Sequence, residues 1–452
     1  MATFDYVLQV TDQTSGTVTL TSTPYSVKEW QLRTGSDDEP TVTEACEVRI
    51  TDGSVAANLA ETRTLQELLQ QAKDAQRNRS LDKVYLVWKE SAGGTAYRSE
   101  LKDGRVEWES EALQYPQWIG DTQFARVHWE RSNWWEAPEV QIPLTNLQGT
   151  ANTSGLAVYN VNAGGTANYV DIAGTAVLGD IPGATRLEMT NSYNSGTALA
   201  QVWIGQNVFN PATFTHIIEG ETASYGGTVV GASYYSGGSV IQTGTISDTE
   251  QPIFKWDLST AISSACGGRM YRLIFKSSSF QGSWNVFRYR LKISYGAQVV
   301  WQTDLTQAEN HAMIVQPLFT VRLPPWLPGE SGLAGLTLEL WAVETIEAHG
   351  NLYVDFIQLT PTDGYREIRR ATYSVPYESR IIDDGINDIL YMDDGAGAAL
   401  AGILSGYGAQ IKLWPGRDQR LYFLMHGSIA AISEIDRTLS VKLFHRPRRR
   451  TI

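Results

Sequence analysis

The sequence predicts a mainly β protein: an N-terminal β domain with one helix, a central jelly-roll β-sandwich, and C-terminal β-strands completing an outer sandwich. Three observations predict it. The chain holds 14 Trp, 21 Tyr and 40 Gly against 6 Met, and aromatics suit pleated, half-buried surfaces while glycine supplies tight turns. Short runs alternating apolar and polar at period two recur between turn residues. One segment alone carries convincing helical spacing. With 452 residues the chain exceeds one ordinary core, and 42 % apolar with 19 % charged residues excludes disorder. Composition shifts place the boundaries at 1–138, 139–365 and 366–452.

Residues 4–10 and 17–21 alternate around Thr14-Ser15-Gly16 and read as a hairpin, with further strands near 26–33 and 41–51. Thr64-Leu65-Gln66-Glu67 has the form of a capping box. Leu65, Leu68, Leu69 and Ala72 follow at helical spacing, so the helix is expected over about 64–77. Strands resume at 83–88, 95–101, 105–110 and 123–130, with Lys102-Asp103-Gly104 as a hairpin turn. Trp129, Trp134 and Trp135 close this domain before Pro138 and Pro143.

From 145 to 200 the chain is rich in Gly, Thr, Ala and Asn, and Gly-Thr-Ala recurs at irregular separations that do not make a repeat. Strands are expected at 185–190, 200–204, 253–258, 270–276, 286–295, 298–303, 318–323, 336–343 and 352–359. The stretch 224–246 reads as a long exposed loop or an edge hairpin. So many short strands without a helix indicate a sandwich. Beyond Pro361-Thr-Asp-Gly364, strands are expected at 381–385, 389–392 and 411–416, and 420–425 with 439–444 as a closing pair.

The net charge of −13 argues against a nucleic-acid binder, which needs a basic face to displace counterions. No run is long and apolar enough to span a membrane, and the start Met1-Ala-Thr-Phe-Asp-Tyr-Val shows no signal peptide. Synthesis in a reducing cytoplasm follows, and Cys46 and Cys266 read as two buried thiols. The six histidines (128, 216, 311, 349, 426 and 445) form no metal-binding pair. There is no nucleophile elbow, phosphate loop or dinucleotide fingerprint. The expectation is a protein that is not an enzyme and holds no cofactor or metal.

Carboxylates on neighbouring predicted strands, Glu339 with Asp355 and Glu188 with Asp257, are the nearest approach to a glycosidase pair. A solvated strand face or a loop-capping carboxylate is the reading we take. Asp383-Asp384 and Asp393-Asp394 stand beside Gly385 and Gly395, where turn chemistry is preferred and an oxygen-ligated calcium ion is the alternative. Tyr225, Tyr234, Tyr235 and Trp284 lie in Gly/Ser-rich stretches and are the candidate ligand- or partner-binding aromatics. Arg446, Arg448, Arg449 and Arg450 make a basic tail suited to forked bonds with carboxylates on a neighbouring subunit.

Ile386-Asn-Asp-Ile-Leu-Tyr391, Ile411-Lys-Leu-Trp-Pro-Gly-Arg417, Leu421-Tyr-Phe-Leu424 and Leu439-Ser-Val-Lys-Leu-Phe-His-Arg-Pro-Arg448 together resemble the closing strands of tailed-phage distal tail proteins. The N-terminal order of strands, one helix, strands and Trp129-Glu-Arg131 before a Pro-containing linker is similar to that family too. The resemblance covers roughly the first 140 and the last 80 residues. It implies a virion tail protein assembled in the host cytoplasm, forming a homo-oligomeric, hexameric ring. Its implied neighbours are the tail tube, the tail-tip hub and fibres. The middle departs from the pattern and resembles an inserted carbohydrate-binding sandwich, opened by Gly179-Asp-Ile-Pro-Gly183 and closed by Tyr353–Leu359. A host-surface glycan is the partner that second resemblance implies, and a polysaccharide depolymerase is the third reading.

Overall fold

The computed structural model describes residues 6–451, except 15, 33–38, 80–81, 109–117, 120–121, 148, 150, 161–166, 193–197, 209–216, 232–235, 259–269, 277–286, 308–318, 323–334, 345–351, 362–363, 371–374, 403 and 428–437. It is mainly β, as expected, with one α-helix among the described residues. The chain divides into two units. The first comprises Met1–Val140, Leu178–Gly183 and Arg446–Ile452, and the second Gln141–Val177 and Ala184–His445. The basic tail, expected with the C-terminal strands, is therefore part of the first unit.

In the first unit one sheet runs in the order Thr17–Thr19, Val7–Thr11, Tyr85–Lys89, Tyr97–Trp108, Thr122–Ser132, Thr41–Ile50, Tyr25–Leu32. The strands alternate as the sequence requires: Val42, Glu44, Cys46, Val48 and Ile50 all point inward along Thr41–Ile50. The helix spans Val55–Asn78, so it begins nine residues before the expected start. Ser54 is the N-cap, its Oγ accepting from the Ala57 amide at 3.2 Å, whereas the Thr64 hydroxyl donates to the Ala60 carbonyl inside the helix at 3.2 Å. The end near Arg77 agrees, closed by Arg79 in the left-handed region with φ 50°.

Leu65, Leu68, Leu69 and Ala72 form the buried stripe and join Leu8, Val10, Val48, Leu86, Leu101 and Val127 in one core. Fully burying a leucine contributes about 1.5–3 kcal/mol. Asp103-Gly104 is not a hairpin turn. The two strands expected there are one strand, Tyr97–Trp108, with a bulge between Leu101 and Asp103 where it pairs with Thr122–Ser132. Gly104 serves the helix instead: a Cβ there would lie 2.6 Å from Cδ2 of Leu69.

The tail enters this unit as a short strand, Arg448–Arg449, paired with Trp135–Glu136. The Pro447 carbonyl accepts from the Ala137 amide at 2.9 Å, and the Arg448 carbonyl accepts from the Asp180 amide at 2.8 Å.

The second unit contains an outer sandwich and a module inserted into it. One sheet of the outer sandwich orders Thr438–His445, Gly183–Asn191, Arg380–Asp384 and Ile389–Asp393. The other orders Tyr169–Ile172, Gln419–Gly427, Leu199–Asn207, Gly364–Arg370 and Leu404–Gly408. The expected closing pair is thus split: Gln419–Gly427 and Thr438–His445 lie in different sheets, each paired with an earlier segment of the chain. Strands buried on alternate residues satisfy the same pattern whether they pair or belong to separate sheets.

The inserted module runs from Ile217 to Pro361. One sheet orders Gln251–Asp257, Leu336–Glu344, Phe287–Tyr295 and Gln298–Gln302. The other orders Ile217–Glu219, Phe356–Pro361, Met270–Lys276 and Phe319–Arg322. Phe254, Trp256, Leu291, Leu338 and Leu340 from the first sheet pack with Tyr271, Leu273, Ile357 and Leu359 from the second. Gly179–Gly183, expected to open the module, lies in the first unit. The expected strand 352–359 is cut at Asp355, so that Tyr353–Val354 joins the hairpin Thr228–Gly231/Ser239–Gln242 and Phe356–Pro361 continues in another sheet. Trp203, Tyr365 and Leu424 of the outer sandwich cluster with Phe356 and Ile217 of the module, and Asn168 donates to Gln358 at 2.8 Å.

Candidate functional site

Tyr225 is 55 % exposed and stands at the border of the module's sheet that begins with Gln251–Asp257. Its backbone bridges Lys255: the Lys255 amide donates to the Tyr225 carbonyl at 3.3 Å, and the Ser224 amide donates to the Lys255 carbonyl at 2.7 Å. The close approach depends on Gly226, whose φ is +83° and whose Cβ would lie 1.9 Å from the Ile253 carbonyl oxygen. Tyr234, Tyr235 and Trp284, like Cys266, lie outside the described residues.

Directly opposed residues of antiparallel strands share a face. Tyr225 opposes Lys255, Lys255 opposes Glu339, and Glu339 opposes Lys292, which makes a single row across the sheet. In the next row Trp341 opposes Arg290. Along Leu336–Glu344 the residues Leu336, Leu338, Leu340 and Ala342 are buried, while Thr337, Glu339, Trp341 and Val343 are half-buried on the other phase. A tryptophan on the polar phase of an alternating strand is the signal the sequence carries for it, one that aromatics in Gly/Ser-rich loops do not reveal.

The row is tightly connected. Lys255 Nζ is 3.0 Å from Glu339 Oε1, Trp341 Nε1 donates to Glu339 at 2.9 Å, and Lys292 Nζ lies 3.3 Å from the Trp341 ring centroid. Arg290 pairs with Glu250, its Nη2 donating to Oε2 at 3.1 Å and its Nε lying 2.8 Å from Oε1. Burial alone would raise the Glu339 pKa, but the hydrogen bonds from Trp341 and Lys255 outweigh it and hold the carboxyl below its usual range.

The carboxylate pairs noted in the sequence are engaged separately. Asp355 is fully buried and accepts from the Ser236 amide at 2.9 Å, far in role from Glu339 in its ladder of charges. Glu188 pairs with Arg186 and Arg380. Glu219 and Glu221 also border the Ser236–Gly238 turn: Ser236 Oγ donates to Glu219 at 2.9 Å, and burial, with Asp355 nearby, raises the Glu221 pKa. Among the described residues no group of three or more His, Cys, Asp or Glu is arranged to hold a metal ion. Burial pushes the Cys46 thiol up to about 12, leaving it unreactive.

The paired aspartates follow turn and ion-pair chemistry. Asp383 is forked by Arg366 at 2.8 and 2.9 Å, and Asp384 accepts from the amides of Ile386 and Asn387. Asp393 accepts from Arg380 and from the Gly395 amide, and Asp394 from the Ala396 and Ala398 amides. For Asp393, burial raises the pKa, but the Arg380 and Gly395 hydrogen bonds reverse this and the net shift is downward. A carboxylate with a depressed folded pKa adds stability above its unfolded pKa and loses it as pH falls through the folded value. Asp393→Asn is therefore expected to lower stability at neutral pH and to flatten the acid limb below about pH 4, as read by urea unfolding across pH. An unchanged acid limb would exclude this role.

Of the tail arginines, expected to bond carboxylates of a neighbouring subunit, Arg448 pairs with Glu136 of the same chain, two of its nitrogens sharing one carboxylate oxygen. Arg448 Nε and Nη2 donate to Glu136 at 3.0 and 2.9 Å, and its guanidinium lies 4.6 Å from the Trp134 ring centroid. Arg449 lies 5.5 Å from the Tyr97 ring centroid. Arg446 is half-buried, and burial followed by the Arg98 charge pulls its pKa down. Arg450 is exposed. Among the described residues no helix is long and apolar enough to cross a membrane.

No protein-family model matches the chain, and no curated protein matches it. Among solved structures, a chain of the phage p2 baseplate in its activated conformation is similar at 8 % identity and a TM-score of 0.25, over 77 % of this chain and 97 % of that one. The N-terminal tandem CBM22 domains of Paenibacillus barcinonensis Xyn10C are similar at 11 % identity and a TM-score of 0.19, over 57 % of this chain and all of that one. The infectious bursal disease virus VP2 subviral particle follows at 9 % identity and a TM-score of 0.16, over 74 % and 84 %. At these scores the likenesses establish neither family nor function.

Proposed function

We propose that the chain is a non-enzymatic structural subunit of a tailed-phage tail: a distal-tail-like protein of the tail tip whose homo-oligomeric ring joins the tail tube to hub and fibre proteins. The observation that supports this reading is the discontinuous build of the first unit. The N-terminal strands and helix take back Arg446–Ile452, so the end of the C-terminal segment that resembles distal tail proteins is built into the same unit as the N-terminal segment that does. The module from Ile217 to Pro361 is then an addition to an outer sandwich closed by residues on either side of it.

The reading is tested on purified particles. Antibody labelling and negative-stain imaging are expected to place the chain at the tail tip, with six copies per ring by mass. A protein that stays monomeric and is absent from washed particles would sink the reading.

A second reading has its own support. The module has a separate hydrophobic core and presents Tyr225 to solvent, as a host-surface carbohydrate-binding module of the virion would.

A further inference from the structure

We propose that the outward face of the sheet Gln251–Asp257/Leu336–Glu344/Phe287–Tyr295 is the glycan site of the module, and that its ligand is an uncharged polysaccharide stacked on Tyr225 and Trp341. The inference rests on the second reading above and names its site and ligand class. Tyr225 lies one row and two strands from Trp341 on the same face. With strands about 4.8 Å apart and a rise of about 3.4 Å per residue, the two Cα positions are separated by roughly 12 Å. That is the span of a short oligosaccharide laid across the strands. Gly226 allows the chain beside Tyr225 to hold it against the sheet edge.

The groups between and beside the rings decide the ligand class. A sugar hydroxyl is both a donor and an acceptor. Lys255, Arg290 and Lys292 offer donors, and Glu339 and Glu250 offer acceptors, interleaved across the face. An acidic polymer would meet Glu250 and Glu339, and a basic one would meet the three cations. A protein partner fits poorly, because the centre of a protein interface is depleted in Lys and Glu. Trp341 is fixed in advance by its hydrogen bond to Glu339 and by the Lys292 ammonium, and such preorganisation lowers the ordering cost of binding.

The test uses the full chain on an array carrying neutral hexose polysaccharides together with uronate- and phosphate-bearing ones. Neutral polymers are expected to bind selectively. Tyr225→Ala and Trp341→Ala are each expected to weaken binding about tenfold, with Trp341→Phe retaining most of it and Tyr407→Ala, on the outer sandwich, leaving it unchanged. Thermal unfolding of each variant checks that the module remains folded. Absence of binding to every neutral polymer, preference for charged polymers, or undiminished binding by the folded Tyr225→Ala/Trp341→Ala double variant overturns the proposal. Incorporation of the same variants into particles is scored in parallel. Loss of assembly with binding intact counts against the tail-subunit reading alone.

Discussion

Replacing Glu44 by alanine is expected to destabilise the first unit by about 3–5 kcal/mol, the range for removing one member of a buried ion pair. Glu44 is 1 % exposed and Arg131 is 5 % exposed. The guanidinium bonds both carboxylate oxygens, with Nε at 2.9 Å from Oε2. The same Oε2 accepts from Trp129 Nε1 at 2.9 Å. Arg131 also donates to the Ser132 carbonyl at 2.9 Å and lies 4.4 Å from the Trp135 ring centroid. Glu44→Ala leaves a buried cation and a buried indole N–H without their acceptor, and water cannot replace it without opening the sheet. Hydrogen exchange along Thr41–Ile50 and Thr122–Ser132 is the direct readout, and both strands should lose protection together. Glu44→Leu combined with Arg131→Met should recover part of the loss, because apolar residues of similar volume remove the uncompensated charge. A loss below 1 kcal/mol would show that the carboxylate is not the organising acceptor.

The strands were legible because most of them bury alternate residues. Thr438–His445 reads inward at Leu439, Val441, Leu443 and His445 with no interruption, and the pattern announces itself. Their partners were not legible. Alternation states which face is buried but not which strand lies alongside, so 420–425 and 439–444 could be taken for a pair when each completes a different sheet. The early start of the helix was hidden because Asn58 and Thr62 occupy the buried stripe before Leu65, at 0 % and 1 % exposure. Their polar atoms are satisfied locally: the Asn58 side chain accepts from the Asp52 amide and the Thr62 hydroxyl donates to the Asn58 carbonyl. Asp103-Gly104 failed as a turn signal because glycine was selected there by the approach of Leu69 and not by chain reversal. At the candidate face, Tyr225 was visible as an aromatic in a glycine-rich stretch. Trp341 and the Lys255–Glu339–Lys292 row required the register, which no single strand contains.

Glu136→Ala should release the C-terminal tail, with a loss of about 3–5 kcal/mol for an uncompensated buried charge. Glu136 accepts from Arg448 at 2.9 and 3.0 Å and from Arg98 at 3.4 Å. All three side chains are largely buried, at 16 %, 9 % and 12 % exposure for Arg448, Arg98 and Glu136, so solvent screens the pair weakly. The neighbouring Arg446 is already disfavoured in its charged form by burial and by Arg98, and Glu136 is one of the groups that offset this. Without Glu136 the guanidiniums of Arg98, Arg446 and Arg448 repel one another in a partly desolvated space. The cheapest relief is for Arg446–Thr451 to leave, which breaks the pairing with Trp135–Glu136 and the contacts of Pro447 and Arg448 with Ala137 and Asp180. Limited proteolysis should therefore cut the tail of the variant while sparing the strand Thr438–His445. Arg105→Ala, with a side chain 70 % exposed, should change stability by no more than about 0.5 kcal/mol. In a double-mutant cycle, Glu136→Ala and Arg448→Ala should be strongly non-additive because they share one contact. Simple additivity would mean that the tail is held by its backbone pairing alone, and that the arginines at the end of this acidic chain do not decide where it docks.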